Sequence, residues 1–387
     1  MTRLTSQPAA KPVAADGASY QGEVVYLYAF DIAYEMARKP VDRLLGEPVA
    51  EWAVGASKRG PKQLLFYKPM MIRLPPSERL GPHGPVRIER AVKLLPVGAV
   101  SITVRVPISC QNLSDLVAFH DLKFANGSYL YDEVRELAED VRRELAPHIL
   151  RPVERLTDEE AYTVFCLRGP IHGTDGAGVS SEDWLLKHRR QVAALLTEEP
   201  NPSFLSEQEA TESTSRYVSY FDRDLVVVDW DAALIVDEPA YFEETLYVME
   251  LANVQLAELE AYDRILDAAV DRSYRDLSVK RLRGLQGTAA QRDLRELRID
   301  VARMSDELSN ITKFFGDWHL ARIYQGLSAR FHLGDWHRVI DEKLKTLDDL
   351  YQLMHTERTT RIMLVLEMSM AVLFLIDVIL LVMSLKH

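Results

Sequence analysis

The chain has 387 residues, which predicts two or three folded units. Apolar residues make up 47% and charged residues 27% of it, so wholly disordered, collagen-like and disulfide-scaffold classes are excluded. The formal net charge of -12 argues against nucleic acid as a partner. Cys110 and Cys166 stand in apolar, strand-like segments, and we expect them to be buried thiols in a reducing compartment rather than a disulfide.

The N-terminal part of the chain predicts an α+β head domain at residues 22–238, preceded by a disordered Ala/Pro-rich tail at residues 1–21. The segment DIAYEMARK, after the first strand, is expected to form a short helix. Short β-branched runs predict strands at residues 23–30, 64–67, 71–74, 86–94, 100–106 and 160–167. Apolar residues at helical spacing predict helices at residues 113–119, 129–150 and 182–196.

The end of the head domain has two further features. Residues 191–215 contain no Lys or Arg and are rich in Glu, which predicts an acidic surface connection. Residues 217–236 predict two strands around a turn at FDRD, with a second bend near DWDA. This hairpin is expected to close the domain.

From Pro239 onward the pattern is helical, which predicts a stalk at residues 239–361. Apolar stripes on either side of Gly284 and Gly287 predict two antiparallel helices. A last segment, starting at Trp336, has nearly heptad spacing and continues without Gly or Pro into the C-terminal apolar run. We therefore expect a coiled-coil-like stalk that is continuous with the final helix.

Residues 362–385 form a 24-residue run in which only Glu367 and Asp377 are charged. A helix of this length measures about 36 Å, enough to cross a hydrocarbon core of about 30 Å. The N-terminal residues have no apolar run of signal-peptide length, so we expect the head to stay in the cytosol. The prediction is a single-pass anchor in the cytoplasmic membrane, with membrane lipid as a partner.

The presence of Glu367 and Asp377 in a predicted membrane span requires an explanation, because an ionised carboxylate at bilayer depth costs about 2.5–3.5 kcal/mol. On one helix they lie about 15 Å apart along the axis and about 80° apart around it, so one packed interface could cover both. The preferred interpretation is that they help to fix the assembly of several copies. An ion or proton path is the alternative.

The tetrapeptide GDWH occurs at residues 316–319 and again at residues 334–337. Divalent cations accept carboxylate and imidazole ligands, so a metal site is one interpretation. The preferred one is that Gly ends one helix, Asp caps the next and Trp packs into the core. The residues concerned are Asp317, His319, His332, Asp335 and His337.

The loop HGTDGAGVSS at residues 172–181 is rich in Gly and precedes a predicted helix. Gly173, Gly176 and Gly178 are therefore candidates for a phosphate-binding loop, but the loop has neither a GxGxxG pattern nor a Lys-Ser/Thr ending, and a flexible or capping loop is preferred. No nucleophile elbow, HExxH motif or Cys/His pair at catalytic spacing occurs in the sequence. We expect no catalysis and no cofactor.

The C-terminal half, roughly residues 210–387, resembles the membrane-protein family named "required for meiotic nuclear division". The resemblance rests on DLVVVDW at residues 224–230, on FEETLYVMELANVQLAELEAYD at residues 242–263, on Trp318, Tyr324, Arg330, Phe331 and Leu333, on Trp336 and Leu344, and on Glu367 and Asp377. It implies an oligomeric, membrane-anchored protein, linked in mitochondria to translation, without catalytic residues to carry over.

Together these patterns predict a tail-anchored scaffold that forms homo-oligomers and binds a cytosolic protein partner through its head. Two alternatives remain. One is a subunit of an oligomeric cation channel or transporter resembling the magnesium channels, although this chain has one predicted span where that family has two. The other is a head that binds a nucleotide at residues 172–181.

Overall fold

In the computed structural model the described residues are 20–36, 41–52, 69–82, 84–95, 98–152, 159–169, 179–279, 298–299 and 318–384. The chain divides into two compact units. The first contains residues 1–258 and 308–333, and the second contains residues 259–307 and 334–387. The first unit is an α+β domain, and helices follow it.

The first unit is built on a mixed nine-stranded sheet with the order β11-β12-β13-β10-β1-β8-β7-β6-β5. Among the described strand pairs of this sheet, β10 and β13 are parallel and the others are antiparallel. The strands are β1 Tyr20–Asp31, β2 Ala33–Met36, β3 Arg43–Leu44, β4 Glu47–Pro48, β5 Ala50–Glu51, β6 Met70–Gly81, β7 Gly84–Leu94, β8 Ala99–Cys110, β9 Ile149–Pro152, β10 Glu160–Arg168, β11 Tyr217–Val218, β12 Leu225–Val228 and β13 Ala232–Asp237.

The described helices cover both faces of this sheet or follow it. They are α1 Leu130–Leu145, α2 Ser181–Leu196, α3 Glu207–Ser213, α4 Pro239–Val279, α5 Trp318–Arg330 and α6 Leu333–Ser384. Short 3-10 helices lie at Leu113–Phe119, Ala146–His148 and Pro202–Phe204. Serine side chains begin two of the α-helices, since Ser180 Oγ accepts from Asp183 N at 3.2 Å and Ser206 Oγ accepts from Glu209 N at 3.0 Å.

The two faces of β1 belong to different cores, because successive side chains of a strand point to opposite faces. Tyr26 and Phe30 pack in one cluster with buried side chains of α1 and α2, and Tyr26 Oη donates to Phe119 O at 2.5 Å. Ala29 packs on the other face, with Val254 and Ala257 of α4. The sheet is therefore a layer between α1 and α2 on one side and α4 on the other.

Helix α5 packs on the strand β12 end of the sheet. A Cβ placed on Gly326 would lie 3.1 Å from Val228 Cγ2, so the helix and strand are in close contact here. Arg330, at the end of α5, pairs with Glu212 at 3.0 Å and with the buried Asp229 at 3.4 Å. These contacts hold the end of α5 against the loop after β12.

Within the second unit, α4 and α6 are joined by charged contacts over a buried apolar seam. Lys343 Nζ lies 2.6 Å from a carboxylate oxygen of Asp263 and 2.6 Å from one of Asp267. Arg298 pairs with Asp348. Buried residues of this unit include Tyr262, Leu266, Ile340, Leu344 and Leu347.

Several sequence predictions for the elements are confirmed. The strand predicted at residues 160–167 is β10, and the helix predicted at residues 182–196 is α2. The last stalk segment and the apolar run do form one helix, α6, which is 52 residues long. The stretch at residues 280–297 that contains Gly284 and Gly287 lies outside the described residues, as does the predicted strand at residues 64–67.

Other predictions for the elements are wrong. The expected helix in DIAYEMARK is strand β2, because Ala33–Met36 pairs with β9, more than a hundred residues later. The helix predicted at residues 129–150 ends at Leu145, and Pro147 lies in the 3-10 turn that follows. The expected connection at residues 191–215 contains α3, and residues 217–236 hold three strands rather than two.

Candidate functional site

Helix α4 covers only part of its face of the sheet. It is fixed to β1 and β10 by Asn253, whose Nδ2 donates to Leu27 O at 3.3 Å and to Glu160 O at 2.9 Å. Strands β6, β7 and β8 continue beyond the helix, and their side chains on this face are largely polar. Partner residues in an antiparallel pair share a face, so Glu89 and Arg105 of β7 and β8 lie together there.

This uncovered part of the face carries a pocket of about 390 Å³, which we call the sheet pocket. It lies entirely within the first unit. Cationic, acidic and apolar side chains all contribute to its wall. The lining residues are Trp52, Met71, Arg73, Leu74, Pro76, Arg87, Glu89, Arg90, Ala91, Lys93, Thr103, Arg105 and Glu243.

A buried charged cluster closes one end of the sheet pocket. The Lys93 ammonium pairs with Glu250 of α4, and Ser101 Oγ donates to Glu250 Oε1 at 2.5 Å. The ammonium also lies 4.0 Å from the centroid of the Trp52 ring, close enough for a cation–π interaction. Trp52 in turn contacts Tyr247 at a ring-centroid distance of 4.8 Å. Each member of the cluster therefore holds another in place.

A second charged group lies at the other end of the pocket. Arg105 bridges Glu23, at 3.3 Å, and Glu243, at 2.5 Å. Burial acts to lower the pKa of Arg105, but Glu243 and Glu23 outweigh it and raise that pKa. Burial raises the pKa of Glu23, and Arg105 opposes this shift. Arg105 is therefore held in its charged form by its two partners.

The second candidate feature is the C-terminal part of α6. Residues Ile362–Leu380 are long and apolar enough to cross a membrane. None of this stretch is buried in the single chain, and its large apolar side chains are exposed. Glu367 and Asp377 lie on it and are also exposed. The structure thus brings neither carboxylate to a partner group within the described part of the chain.

The structure does not place the residues of the two GDWH tetrapeptides as the capping interpretation predicts. Asp317 lies outside the described residues. Asp335 is in the first turn of α6, not at its N-cap, and pairs with Arg338 at 2.8 Å. His332 lies between α5 and α6 with a φ of 50°, so a histidine, not the Gly of the motif, takes the left-handed position there. Trp318 is 54% exposed and is therefore not a core residue.

The three histidines of the GDWH segments have different surroundings. The His319 ring packs against Tyr220 at 5.5 Å, and the His332 ring packs against Trp230 at 5.4 Å. His337 lies in the second unit, where burial lowers its pKa and Asp341 opposes the shift. Across the described ranges, no group of three or more His, Cys, Asp or Glu side chains is arranged to hold a metal ion.

The remaining candidates are Gly173, Gly176 and Gly178 of the predicted phosphate loop. They lie outside the described residues. Both cysteines are free; Cys166 is buried, as expected, whereas Cys110 is only partly buried. Burial raises the pKa of Cys166 well above its ordinary value.

The sheet pocket was not predicted from the sequence, although a pattern in two strands indicates a polar face. In β8, Ser101, Thr103 and Arg105 alternate with apolar residues, which is typical of a strand with one polar face. Strand β7 repeats this pattern with Arg87, Glu89 and Lys93. What the sequence did not indicate is that α4 stops short of this polar face.

An α+β domain on one large mixed sheet, with an open pocket on that sheet, is thus the defining part of the molecule. Residues 21–243 match the family described as "Uncharacterized protein MJ0711, N-terminal domain". The match spans more than half of the chain, and the protein belongs to this family. All residues that line the sheet pocket fall inside the matched range, whereas α6 lies beyond it.

A curated relative is the uncharacterized protein MJ0711 of Methanocaldococcus jannaschii. It is 24% identical over 221 residues, which cover 57% of this chain and 65% of the relative. The chain therefore matches less than two thirds of the length of that relative. No solved structure matches the chain. The resemblance of residues 210–387 to the meiotic-nuclear-division family lies largely outside the match and stays a prediction.

Proposed function

We propose that the protein is a single-pass scaffold of the cytoplasmic membrane, which self-associates and presents its α+β head to a protein partner in the cytosol. The observation that carries this proposal is helix α6, which continues without interruption from Leu333 to Ser384 and exposes its apolar end. The resemblance of residues 210–387 to a family of oligomeric membrane-anchored proteins supports it. Catalysis is not part of the proposal.

Lipid is the environment that suits the end of α6. Exposed side chains there include Val365 at 69% and Phe374 at 72%. A monomeric soluble protein rarely exposes a continuous apolar surface of more than a few hundred Å², and this stretch is apolar all around the helix. In a bilayer the same surface contacts hydrocarbon, and every backbone group of the span is bonded within the helix.

Self-association would give the two carboxylates of the span a partner. Glu367 and Asp377 are exposed and have no cover from the other described residues, and charge at bilayer depth is costly unless it is paired, protonated or hydrogen-bonded. A second copy packed along one side of the helix would cover both residues. Such packing also suits the small Ser369 and Ala371 between them, which allow helices to approach closely.

A coiled-coil contribution from the stalk would be limited to a short segment. Ile340, Leu344 and Leu347 follow the near-heptad pattern, but they are already buried within the single chain. Leu353, nine residues before the span, is 51% exposed and remains available for another copy. We therefore propose that contacts between copies lie from about residue 351 onward.

A cytosolic head is supported by two features. Arg358 and Arg361 flank the span on the side of the head, and Lys or Arg at a span boundary favours the cytosolic side. Cys110 is free and only partly buried, which suits a reducing compartment.

The test is membrane fractionation and protease protection with the full chain in bacterial cells. We expect the protein in the membrane pellet after carbonate washing, and a head that is digested only after the cells are opened. A variant truncated after residue 361 should move to the soluble fraction. A full chain that stays soluble, or a head digested in intact cells, would overturn the proposal.

Assembly is tested with Asp377→Leu in mild detergent. We expect a smaller oligomer by size exclusion with light scattering, while the head keeps its melting temperature. Val372→Leu is the control, because it introduces the same side chain at a position five residues from each carboxylate, which lies about 140° around the helix from both. An unchanged oligomer in Asp377→Leu removes the assembly role. A cation flux in reconstituted vesicles that Asp377→Asn abolishes would assign the carboxylate to an ion path instead.

A further inference from the structure

Three residues on neighbouring strands form a row across the floor of the sheet pocket. Arg73 of β6 stands opposite Ala91 of β7, and Ala91 stands opposite Thr103 of β8. Partner residues in antiparallel pairs share a face, so all three side chains lie on the pocket side of the sheet. Neighbouring strands are about 4.8 Å apart, so the Cα atoms of Arg73 and Thr103 are separated by about 10 Å, with only the methyl group of Ala91 between them. The row therefore leaves a gap between a guanidinium and a hydroxyl.

Arg73 is the cation of this face that remains unused. Within the described part of the chain it has no carboxylate partner, and it is exposed. The other cations of the face are all paired: Arg87 with Glu89 at 2.9 Å, Lys93 with Glu250, and Arg105 with Glu23 and Glu243. Arg90 stands opposite the buried Val104, so it belongs to the other face of the sheet and takes no part here. The planar fork of the Arg73 guanidinium is thus available to an anion.

A buried hydroxyl stands at the other end of the row. Thr103 is only 6% exposed, and its Oγ1 has no hydrogen-bond partner among the described residues. Leaving a buried hydroxyl without a partner is costly. A step of about 120° between staggered χ1 rotamers turns this hydroxyl around the Cα–Cβ bond, which can direct it at an acceptor above Ala91. The hydroxyl is an observation independent of the charge, and it indicates a polar ligand atom at this point.

The donors of the row select the class of anion. One planar guanidinium can bind both oxygens of a carboxylate, and a hydroxyl can donate to a lone pair that remains. A phosphoryl group would bring three oxygens and almost two negative charges. Because Arg73 alone is free to compensate a ligand charge on this face, a second charge would have no counter-ion within the described pocket wall. A monoanion with two oxygens therefore suits the row better than a phosphate.

The pocket is apolar on one side of the row. Met71 stands opposite Lys93, two positions along β7 from Ala91, and the Trp52 ring lies over the Lys93 ammonium. Met71 and Trp52 both line the pocket, whose volume is about 390 Å³. On the other side of the row lies the charged Glu89, which disfavours an apolar group. A ligand with its carboxylate over Ala91 would therefore place its body against Met71 and Trp52.

We propose that the sheet pocket binds a monocarboxylate with an apolar body. The Arg73 guanidinium binds both carboxylate oxygens, the Thr103 hydroxyl donates a third hydrogen bond, and the apolar body contacts Met71 and Trp52. A small free acid and the C-terminus of a peptide present the same group, so the experiment includes a probe for each. The proposal concerns the head and does not depend on the membrane scaffold function.

The experiment is a ligand-observed fluorine NMR titration of the detergent-solubilised full chain, with empty micelles as the blank. The probe is para-fluorophenylacetate, and its controls are para-fluorophenylacetamide, which has the same shape without the charge, and para-fluorophenyl phosphate. We expect the acid to bind at least tenfold more tightly than either control. The peptide probe is N-acetylglycyl-para-fluorophenylalanine. If it binds more tightly than the free acid, the source of the carboxylate is a peptide C-terminus; otherwise it is a small acid.

Variants of the row decide whether the binding is in this pocket. Arg73→Gln should weaken binding of the acid at least tenfold and remove its preference over the amide, without a change in melting temperature, because Arg73 is exposed. Ala91→Leu should weaken it to a similar extent by filling the gap, although both donors are kept. Arg79→Gln is the matched control, since Arg79 lies on the same strand, pairs with Glu133 and is not part of the pocket. It should stay within twofold of the parent.

Thr103→Val separates a ligand-binding role from a structural one. It removes a buried hydroxyl that has no partner among the described residues, so the variant should unfold at the same temperature as the parent or higher, and yet bind the acid at least threefold more weakly. The proposal is overturned if the parent binds the acid no more tightly than the amide, or binds the phosphate more tightly than the acid. It is also overturned if Arg73→Gln and Thr103→Val both bind the acid as tightly as the parent.

Discussion

Lys93 of β7 and Glu250 of α4 are 157 positions apart in the chain and form an ion pair whose side chains are 8% and 4% exposed. The glutamate also accepts a hydrogen bond from Ser101, and the ammonium lies over the Trp52 ring. This contact joins the polar half of the sheet to the helix that covers the other half. It therefore sets how much of the sheet remains open as the pocket.

The first prediction concerns this pair. Glu250→Leu leaves the Lys93 ammonium buried without its partner, and removing one member of a buried ion pair costs about 3–5 kcal/mol. Lys93→Met/Glu250→Leu should recover most of that loss, because two apolar side chains of similar size need no partner. The free energy of unfolding of the first unit is measured on the full chain by urea denaturation, with tryptophan fluorescence as the signal.

The control for this prediction is Arg143→Met, which removes an exposed pair with Asp140 on α1. Exposed pairs contribute about 0–1 kcal/mol, so this variant should unfold near the parent. If the double variant is as unstable as Glu250→Leu, the loss of stability in Glu250→Leu does not come from the unpaired Lys93 ammonium, and the prediction is wrong.

The second prediction compares two glycines with positive φ. Gly98 has a φ of 102° and a Cβ there would lie 1.8 Å from Ala33 O, whereas Gly84 has a φ of 121° with nothing within 4 Å. Gly84→Ala should cost about 1–3 kcal/mol through backbone strain alone. Gly98→Ala carries the same strain and also a collision with the backbone, so it should lower the melting temperature further. Equal melting temperatures of the two variants would refute this.

The third prediction is a pH dependence at Asp229. Burial raises the pKa of Asp229 above its ordinary value of 3.8, although Arg330 opposes the shift. The folded chain thus holds this proton more tightly than the unfolded chain, and the resulting stability is present below pH 3.8 and lost as the pH rises through the raised pKa. The stability of the parent minus that of Asp229→Asn should therefore fall with rising pH and then level off, as measured by urea unfolding across a pH series. A difference that rises with pH contradicts the assignment.

The fold was predictable where the local pattern and the long-range contacts agree. Strand β10 and helix α2 are examples, because their periodicity, caps and burial all favour one structure. Residues 33–36 are the opposite case, since their local preference is helical and the partner that makes them a strand begins only at Ile149. Local preference is a weak constraint beside such pairing.

The sheet pocket shows a different limit of sequence reasoning. The polar alternation of β8 was readable, but the pocket also needs Trp52 from before β6 and Glu243 from α4. Their proximity depends on strand order and on where α4 crosses the sheet. The repeated GDWH word, by contrast, drew attention to residues that form no metal-binding group in the described part of the chain.

The fourth prediction uses the two thiols. Burial raises the pKa of Cys110 from 9.0 to about 11, and Asp115 adds to the shift. Because the thiolate is the reactive form, Cys110 should react with iodoacetamide at pH 8 roughly 100-fold more slowly than an unperturbed thiol, with a rate that rises up to about pH 11. In Cys110→Ser the buried Cys166 should be labelled only in denaturant. Rapid labelling of the folded Cys110→Ser variant would contradict the burial of Cys166.

The short strands at the two ends of the nine-stranded sheet have a consequence for crowded copies. The end strands β5 and β11 are two residues long. The long strand β6, which is the neighbour of β5, carries Pro75 and Pro76 at an irregularity between Leu74 and Ser77. Proline and charge on such a margin, here Glu78 and Arg79, prevent a strand of another molecule from adding to it. Heads gathered at high density on one surface would consequently be protected from cross-β polymerisation, so that stacking into fibrils does not compete with ordered assembly.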